Sequence, residues 1–108
     1  MAVSNLQTAP CKSQTLLKSV HIKIHGTVQG VFFRKFTRET ANELGINGWV
    51  CNMEDGTVEI EAEAPSERLD LFIKWCHHGP VHAVVNKVTV TESSLKNFTS
   101  FEIQRQKG

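Results

Sequence analysis

The sequence contains no tyrosine, few aromatic residues of any kind and only three cysteines. Cys11, Cys51 and Cys76 are an odd number with no close pair, which favours reduced thiols in a cytoplasmic setting over a disulfide framework. A membrane-spanning helix needs ~20 consecutive apolar residues, and the sequence has no such run. We therefore expect a soluble, cytoplasmic protein, and we expect it to act as a monomer.

Charge of either sign is not in excess. The chain has 12 Lys and Arg against 11 Asp and Glu, which gives a formal net charge of +1. Such a balance provides no overall field that would attract nucleic acid or an anionic membrane. We expect neither as a partner, so a local site must carry the function.

The length of 108 residues accommodates one domain with a single modest core. Residues 1–18 hold two lysines, several Ser and Thr and no acid. A mitochondrial presequence is conceivable there, although it would be one without arginine. We predict a flexible tail over residues 1–18 and a folded domain over residues 19–105.

The spacing of apolar residues predicts seven elements. Alternation predicts strands at residues 20–25, 46–52, 57–64, 86–92 and 100–104. Helical spacing predicts one helix at residues 33–44 closed by Gly45, and a second that is N-capped by Ser66 and ends at Gly79. This βαββαβ order with an added C-terminal strand predicts an α+β sandwich, in which two helices cover one face of a mostly antiparallel sheet.

The same periodicities assign side chains to faces. The third strand should turn Glu59, Glu61 and Glu63 toward solvent, where Lys23 and charged histidines of the first strand pair with them. The predicted core positions include those on the first helix and the last two strands: Phe33, Phe36, Thr40, Ala41, Leu44, Val88, Val90, Phe101 and Ile103.

The loop GTVQGVFFR, residues 26–34, contains two glycines and ends in arginine. Gly26 and Gly30 permit the backbone conformations and close approach that a tight loop around an anion requires. The loop leads into a helix N-terminus, so its amides can form an anion site, and we predict this role for Gln29, Gly30, Val31, Phe32 and Phe33. Arg34 adds a planar fork of donors that matches two phosphate oxygens.

Asn52 lies at the end of the second predicted strand. A strand, helix, strand unit makes the first two strands parallel, so Asn52 and Arg34 should meet at one edge of the sheet. The loop has no proton carrier, which suits an acyl phosphate, because its carboxylate leaving group departs without acid help. Asn52 could then hold the attacking water, and no metal ion or other cofactor is required.

The segment IHGTVQGVFFR, residues 24–34, resembles the first signature of the acylphosphatase family, and GWVCN, residues 48–52, followed by Gly56 and Val58, resembles the second. The resemblance covers about residues 19–105. It implies a ferredoxin-like fold and metal-independent hydrolysis of the carboxyl–phosphate bond of acyl phosphates, with inorganic phosphate as a product. It also implies that Arg34 binds the phosphate and that Asn52 positions the water. Cys51, Ala64 and the C-terminal IQRQKG depart from the family pattern, and we expect altered packing at the strand ends with intact chemistry.

Two other function classes are compatible with the βαββαβ order. An RNA-binding module shares the βαββαβ order, but here the central strands carry His, Lys and Glu where such modules stack bases on aromatic residues. A noncatalytic phosphate-binding or anion-binding module on the same fold remains as the alternative.

Two further features suggest other ligands. Cys76, His77, His78 and His82 raise the idea of a metal site, yet adjacent histidines on a helix point in different directions, so no metal ligand is predicted. Phe32, within the loop, could instead be partly exposed and touch the acyl part of a substrate.

Overall fold

The computed structural model describes residues 17–30 and 32–107. The elements follow the predicted order, and we label them in sequence: β1 (Leu17–Thr27), α1 (Phe33–Leu44), β2 (Asn47–Met53), β3 (Val58–Pro65), α2 (Ser66–His78), β4 (Val84–Ser93) and β5 (Phe101–Lys107). The five strands form one sheet in the order β4-β1-β3-β2-β5. The α+β arrangement with its added C-terminal strand confirms the predicted fold class.

The predicted N-terminal tail lies mostly outside the described residues, which begin at residue 17. Leu17 and Lys18 pair with Pro65 and Ala64 of β3. The sheet therefore begins two residues before the predicted start of the domain at residue 19. Within the described ranges, no helix has the length and apolar character needed to cross a membrane.

The strand pairing determines which edge carries the site. Both β1 and β2 pair antiparallel with β3, which lies between them, so β1 and β2 run parallel to each other as predicted. β5 pairs in parallel with β2 and is the outermost strand on that side of the sheet. Val58 of β3 has Ile24 of β1 opposite it on one side and Asn52 of β2 on the other. The C-terminal ends of β1, β2 and β5 therefore lie at the same edge of the sheet.

One apolar cluster joins the sheet to both helices. Its members alternate along the strands and include Ile22, Ile24, Val50, Ile60 and Phe72. Phe72 contacts Phe101 of β5 edge to face, with ring centroids 6.1 Å apart. Burial of this face supplies the main driving force for the fold.

The buried face of α1 differs from the prediction. Phe33, Thr37 and Ala41 are buried at i, i+4 spacing, whereas Phe36 is 39% exposed. A threonine can occupy the core here because its Oγ1 donates to the Phe33 carbonyl at 2.7 Å, so no buried polar group is left unpaired. The prediction for Phe36 was wrong because it assigned the position after Phe33 to the apolar side chain at i+3, whereas the threonine at i+4 is the buried one.

The C-terminal ends of both helices were predicted correctly, but the N-cap of α2 was not. Gly45 ends α1 in the left-handed conformation, with φ of 72°, and Gly79 donates its amide to the Trp75 carbonyl at the end of α2. Ser66 is not the N-cap of α2. It is the first helical residue, and Pro65 precedes it without any side-chain cap.

Two more side-chain predictions were wrong. Val90 of β4 is 41% exposed, because β4 is an edge strand that is only partly covered. Glu61 and Glu63 are buried, at 7% and 4% exposed, although alternation placed them on a solvated face. The cause is the connection between β4 and β5, which joins opposite edges of the sheet and lies against these acids.

The acids of β3 therefore have separate partners. Glu63 accepts hydrogen bonds from the backbone amides of Lys96, Asn97 (3.2 Å) and Phe98 (3.0 Å). Glu61 accepts from the Ser93 hydroxyl at 2.8 Å and pairs with the Lys96 ammonium at 3.3 Å. Only Glu59 pairs with β1 as predicted, at 3.0 Å from His21 Nε2 and 3.8 Å from Lys23 Nζ.

We expect Glu63→Gln to lower the free energy of unfolding by about 1–3 kcal/mol, because the amide offers one oxygen where three backbone N–H groups share two. Urea denaturation followed by tryptophan fluorescence measures the change. Glu54→Gln, in the exposed turn after β2, is the matched control and should change stability by less than about 0.5 kcal/mol. Equal losses in the two variants would show that the hydrogen bonds between Glu63 and the β4–β5 connection do not contribute to the free energy of unfolding.

Candidate active site

The β1–α1 loop begins inside the core and ends at its surface. Val28 is fully buried, Gly30 has φ of 75°, and Phe32 has φ of 60°. Gly30 thus adopts the left-handed conformation that the prediction required. Gly26 does not serve the loop in the predicted way. It lies within β1, where an added Cβ would come 2.0 Å from the Val84 carbonyl oxygen, so its close approach is to strand β4.

The N-terminus of α1 directly follows this loop. The Phe36 amide donates to the Phe32 carbonyl at 3.1 Å, which makes the preceding amides of the first turn the ones without an intrahelical acceptor. No acidic side chain occupies that turn. The positive end of the helix dipole is therefore available to an anion. The amide of Val31, one of the five predicted phosphate donors, lies outside the described residues.

Arg34 and Asn52 line one cavity of about 280 Å³, together with Val28, Gly30, Phe32, Phe33, Lys35 and Ile103. The structure thus brings together the two residues that the topology predicted to meet. Arg34 is half-buried, and the ion pairs seen among the described residues involve His21, Lys23 and Lys96 as the cations. The Arg34 guanidinium is therefore free of a described carboxylate and can bind an anion.

The Asn52 side chain lies on the helix-covered face of the sheet, because Asn52 is paired with the core residue Val58. Its Oδ1 is buried and has no hydrogen-bond partner among the described residues. Leaving a buried acceptor unpaired typically costs about 1–3 kcal/mol. An oxygen in this state beside a cavity can accept a hydrogen bond from a ligand or from water.

The side chain of Gln29 was missed by the sequence reasoning, which used only its backbone. Its Nε2 donates to the carbonyls of both Met53 and Thr57, each at 2.8 Å. These carbonyls flank the β2–β3 turn, where the Met53 amide also donates to Thr57 O at 2.8 Å. Gln29 therefore ties the β1–α1 loop to Met53, the residue that directly follows Asn52. In the sequence, the only signal was the expectation that the loop and the end of β2 share an edge.

The turn after Asn52 has its own support. The Thr57 hydroxyl and amide both donate to Asp55 Oδ1, at 2.6 and 3.1 Å, and Lys23 lies 3.3 Å from Oδ2. These hydrogen bonds, chiefly that of the Thr57 hydroxyl, lower the pKa of Asp55 to about 2. Because the folded-state pKa is depressed, this contribution to stability is present above the unfolded pKa and is lost as pH falls through about 2.

The cysteine and histidines of α2 do not form a ligand set. Within residues 17–30 and 32–107, no three His, Cys, Asp or Glu side chains gather around a point where a metal ion could bind. Cys76 is fully buried, and burial raises the pKa of its thiol. The His77 ring lies 3.0 Å from the Ile73 carbonyl through Nδ1. The metal independence of the site stays a prediction.

Comparison with known proteins agrees with this geometry. The family model described as Acylphosphatase matches residues 20–103. An acylphosphatase of Haloquadratum walsbyi is 44% identical over 85 residues, covering 79% of this chain and 91% of that protein. One of Rubrobacter xylanophilus is 49% identical over 75 residues, covering 69% and 68%. The crystal structure of acylphosphatase from Bacillus subtilis has a TM-score of 0.79 at 39% identity, over 82% of this chain and 99% of that one. This chain belongs to the acylphosphatase family.

We expect Gln29→Glu to lower kcat for an acyl phosphate by about 10- to 100-fold, because a carboxylate would face two carbonyl oxygens and displace the loop from Asn52. Steady-state kinetics measures the change. Gln29→Ala, which removes the donors without the repulsion, should give a smaller loss.

A double-mutant cycle separates positioning from stability. If Gln29 acts through Asn52, the same substitution should cost much less in an Asn52→Ala background. An equal loss of kcat in both backgrounds would contradict the tie between the two residues.

Proposed function

We propose that this chain hydrolyses the carboxyl–phosphate bond of acyl phosphates, giving a carboxylate and inorganic phosphate, without a metal ion or other cofactor. One observation carries the proposal: Arg34, the start of α1 and Asn52 line a single cavity, and the buried Oδ1 of Asn52 has no partner among the described residues. The relatives that match over most of their length are named acylphosphatases. This favours hydrolysis over a binding module that leaves its anion intact.

Arg34 and the loop amides bind the phosphoryl group in this proposal. The guanidinium donates to two phosphate oxygens, and the amides of residues 29–33 surround the remaining negative charge at the positive end of α1. Loop donors held in place by Gln29 need little rearrangement as charge develops on the phosphoryl oxygens. Binding energy is thereby directed to the transition state.

Asn52 positions the attacking water. Its Oδ1 accepts a hydrogen bond from the water, which places the water oxygen in line with the bond that breaks. The new bond joins the water oxygen to phosphorus while the bond from phosphorus to the acyl oxygen breaks, and the electron pair leaves with the carboxylate. None of the described residues that line the cavity is a carboxylate or a histidine. This suits a leaving group that is a weak base and a water proton that passes to the phosphate product.

The proposed setting is the cytoplasm, with the protein acting as a monomer on a small acyl phosphate. The buried Cys76 is a free thiol, which is consistent with a reducing compartment. We assign the activity to the domain predicted at residues 19–105. Neither nucleic acid nor membrane is a partner in this proposal.

Arg34→Ala should abolish hydrolysis of benzoyl phosphate and binding of inorganic phosphate. Asn52→Ala should lower kcat by about 10²- to 10³-fold while phosphate affinity changes little, because its interaction with the water forms fully only in the transition state. Loss of the anhydride measures the first effect and calorimetry with inorganic phosphate the second.

Two surface variants serve as matched controls. Arg38→Ala and Asn42→Ala change exposed residues of α1 that lie outside the cavity wall, and both should keep wild-type kinetics. If phosphate affinity fell as far in Asn52→Ala as in Arg34→Ala, the assigned division of roles would be wrong. No turnover by the wild type, with phosphate still bound, would leave an anion-binding module.

Treatment with a strong chelator should leave kcat and KM for benzoyl phosphate unchanged, because arginine and backbone amides supply the positive charge that a metal ion supplies elsewhere. The assay is repeated after dialysis against the chelator and again after adding Mg²⁺ or Zn²⁺. Activity that is lost to the chelator and restored by a divalent cation would reject this mechanism.

A further inference from the structure

Phe32 occupies an unusual place for a large apolar residue. Its side chain is 72% exposed, and it lines the cavity that holds Arg34 and Asn52. Exposure of a single aromatic ring is not in itself informative. Here, however, the ring lies at the rim of the candidate site, beside three buried or half-buried apolar residues of the same cavity wall, Val28, Phe33 and Ile103.

The backbone of Phe32 is also in a conformation that disfavours phenylalanine. Its φ of 60° and ψ of 25° are left-handed, which glycine and asparagine adopt more readily than a bulky residue. The same residue is the N-cap of α1, where Asn, Asp, Ser or Thr would supply a side-chain acceptor, and it makes no side-chain cap hydrogen bond. Local stability gains nothing visible from a phenylalanine here. Strained residues that persist at a cavity rim point to function.

The position of the phosphate determines what the ring can contact. With the phosphoryl group held by Arg34 and the loop amides, the acyl carbon lies only two covalent bonds from phosphorus and so also within the cavity. The polar groups Arg34 and Asn52 are then occupied by phosphate and water. The ammonium of Lys35 lies 5.8 Å from the centroid of the Phe36 ring, so it is directed to a neighbouring aromatic. Apolar wall is what remains for the acyl group.

We infer that Phe32, together with the half-buried Ile103, forms an acyl-binding subsite that selects acyl phosphates with a flat apolar acyl group, such as an aryl group, over small aliphatic ones. The inference rests on the proposed function, since it assigns the part of the substrate that the phosphate site leaves undefined. Phe32 acts here as a specificity-determining residue. The ring lies over one face of the acyl group and removes apolar surface from water.

The test compares kcat/KM for benzoyl phosphate and acetyl phosphate in the wild type and in Phe32→Asn. Asparagine tolerates the left-handed conformation and can cap α1, so this variant should fold with unchanged or higher stability by urea denaturation. We expect the preference of the wild type for benzoyl phosphate to fall by about 5- to 20-fold. Phe32 also contributes a backbone amide to the proposed phosphate site, so the benzoyl-to-acetyl ratio is the readout, because any change in phosphate binding affects both substrates alike and cancels in the ratio.

Phe36→Ala is the matched control. Phe36 is also an exposed phenylalanine of this surface, one turn further along α1, but it lies outside the wall of this cavity. Its removal should leave the benzoyl-to-acetyl ratio unchanged. Phe32→Leu, which keeps an apolar side chain without a flat ring, should give an intermediate ratio.

The possible results are distinct. A ratio that drops in Phe32→Asn alone supports the subsite. Equal use of both substrates by the wild type, or a ratio that Phe32→Asn leaves unchanged, overturns it while hydrolysis itself stands. Absence of turnover of either substrate by the wild type overturns the proposed function and the subsite with it.

Discussion

Two hydrogen bonds from the Gln29 amide to the carbonyls of Met53 and Thr57 connect the halves of this site. The connection is needed because β1 and β2 are not neighbours, since β3 lies between them. The loop after β1 carries the amides and Arg34, and the end of β2 carries Asn52. Each half could shift with its own strand, but the amide of Gln29 holds both carbonyls of the β2–β3 turn. Gln29 thereby fixes the position of the loop relative to Asn52, which the proposed phosphate binding and water positioning require.

Two unfavourable local features lie at this site. Elsewhere, buried polar groups have partners: Thr37 bonds to the backbone of its own helix, and Glu63 is held by three amides of the β4–β5 connection. At the site, Asn52 Oδ1 is buried without a described partner, and Phe32 has a positive φ. A core shared by the sheet and both helices stabilises the fold enough to tolerate these features. In the proposed mechanism, the attacking water would satisfy Asn52 Oδ1.

Much of the fold could be predicted from the sequence because its signals are local. The bounds of α1 were predicted to the residue. The parallel relation of β1 and β2 followed from the helix that connects them. What failed was nonlocal. Glu61 and Glu63 obey strand alternation, yet the face they occupy is covered by a connection whose path no periodicity reveals. The Gln29 tie was missed for the same reason, because its two acceptors lie 24 and 28 positions away along the chain.

The most direct test of the account is a ¹⁵N NMR titration of the wild type and Arg34→Ala with inorganic phosphate. The largest shifts in the wild type should occur at the amides of Gly30 and residues 32–34 and at the side-chain amide of Asn52. These shifts should disappear in the variant. Shifts centred elsewhere, for example around Arg68 and Asn97, which line a separate cavity, would contradict the claim that the β1–α1 loop and the end of β2 form one phosphate site.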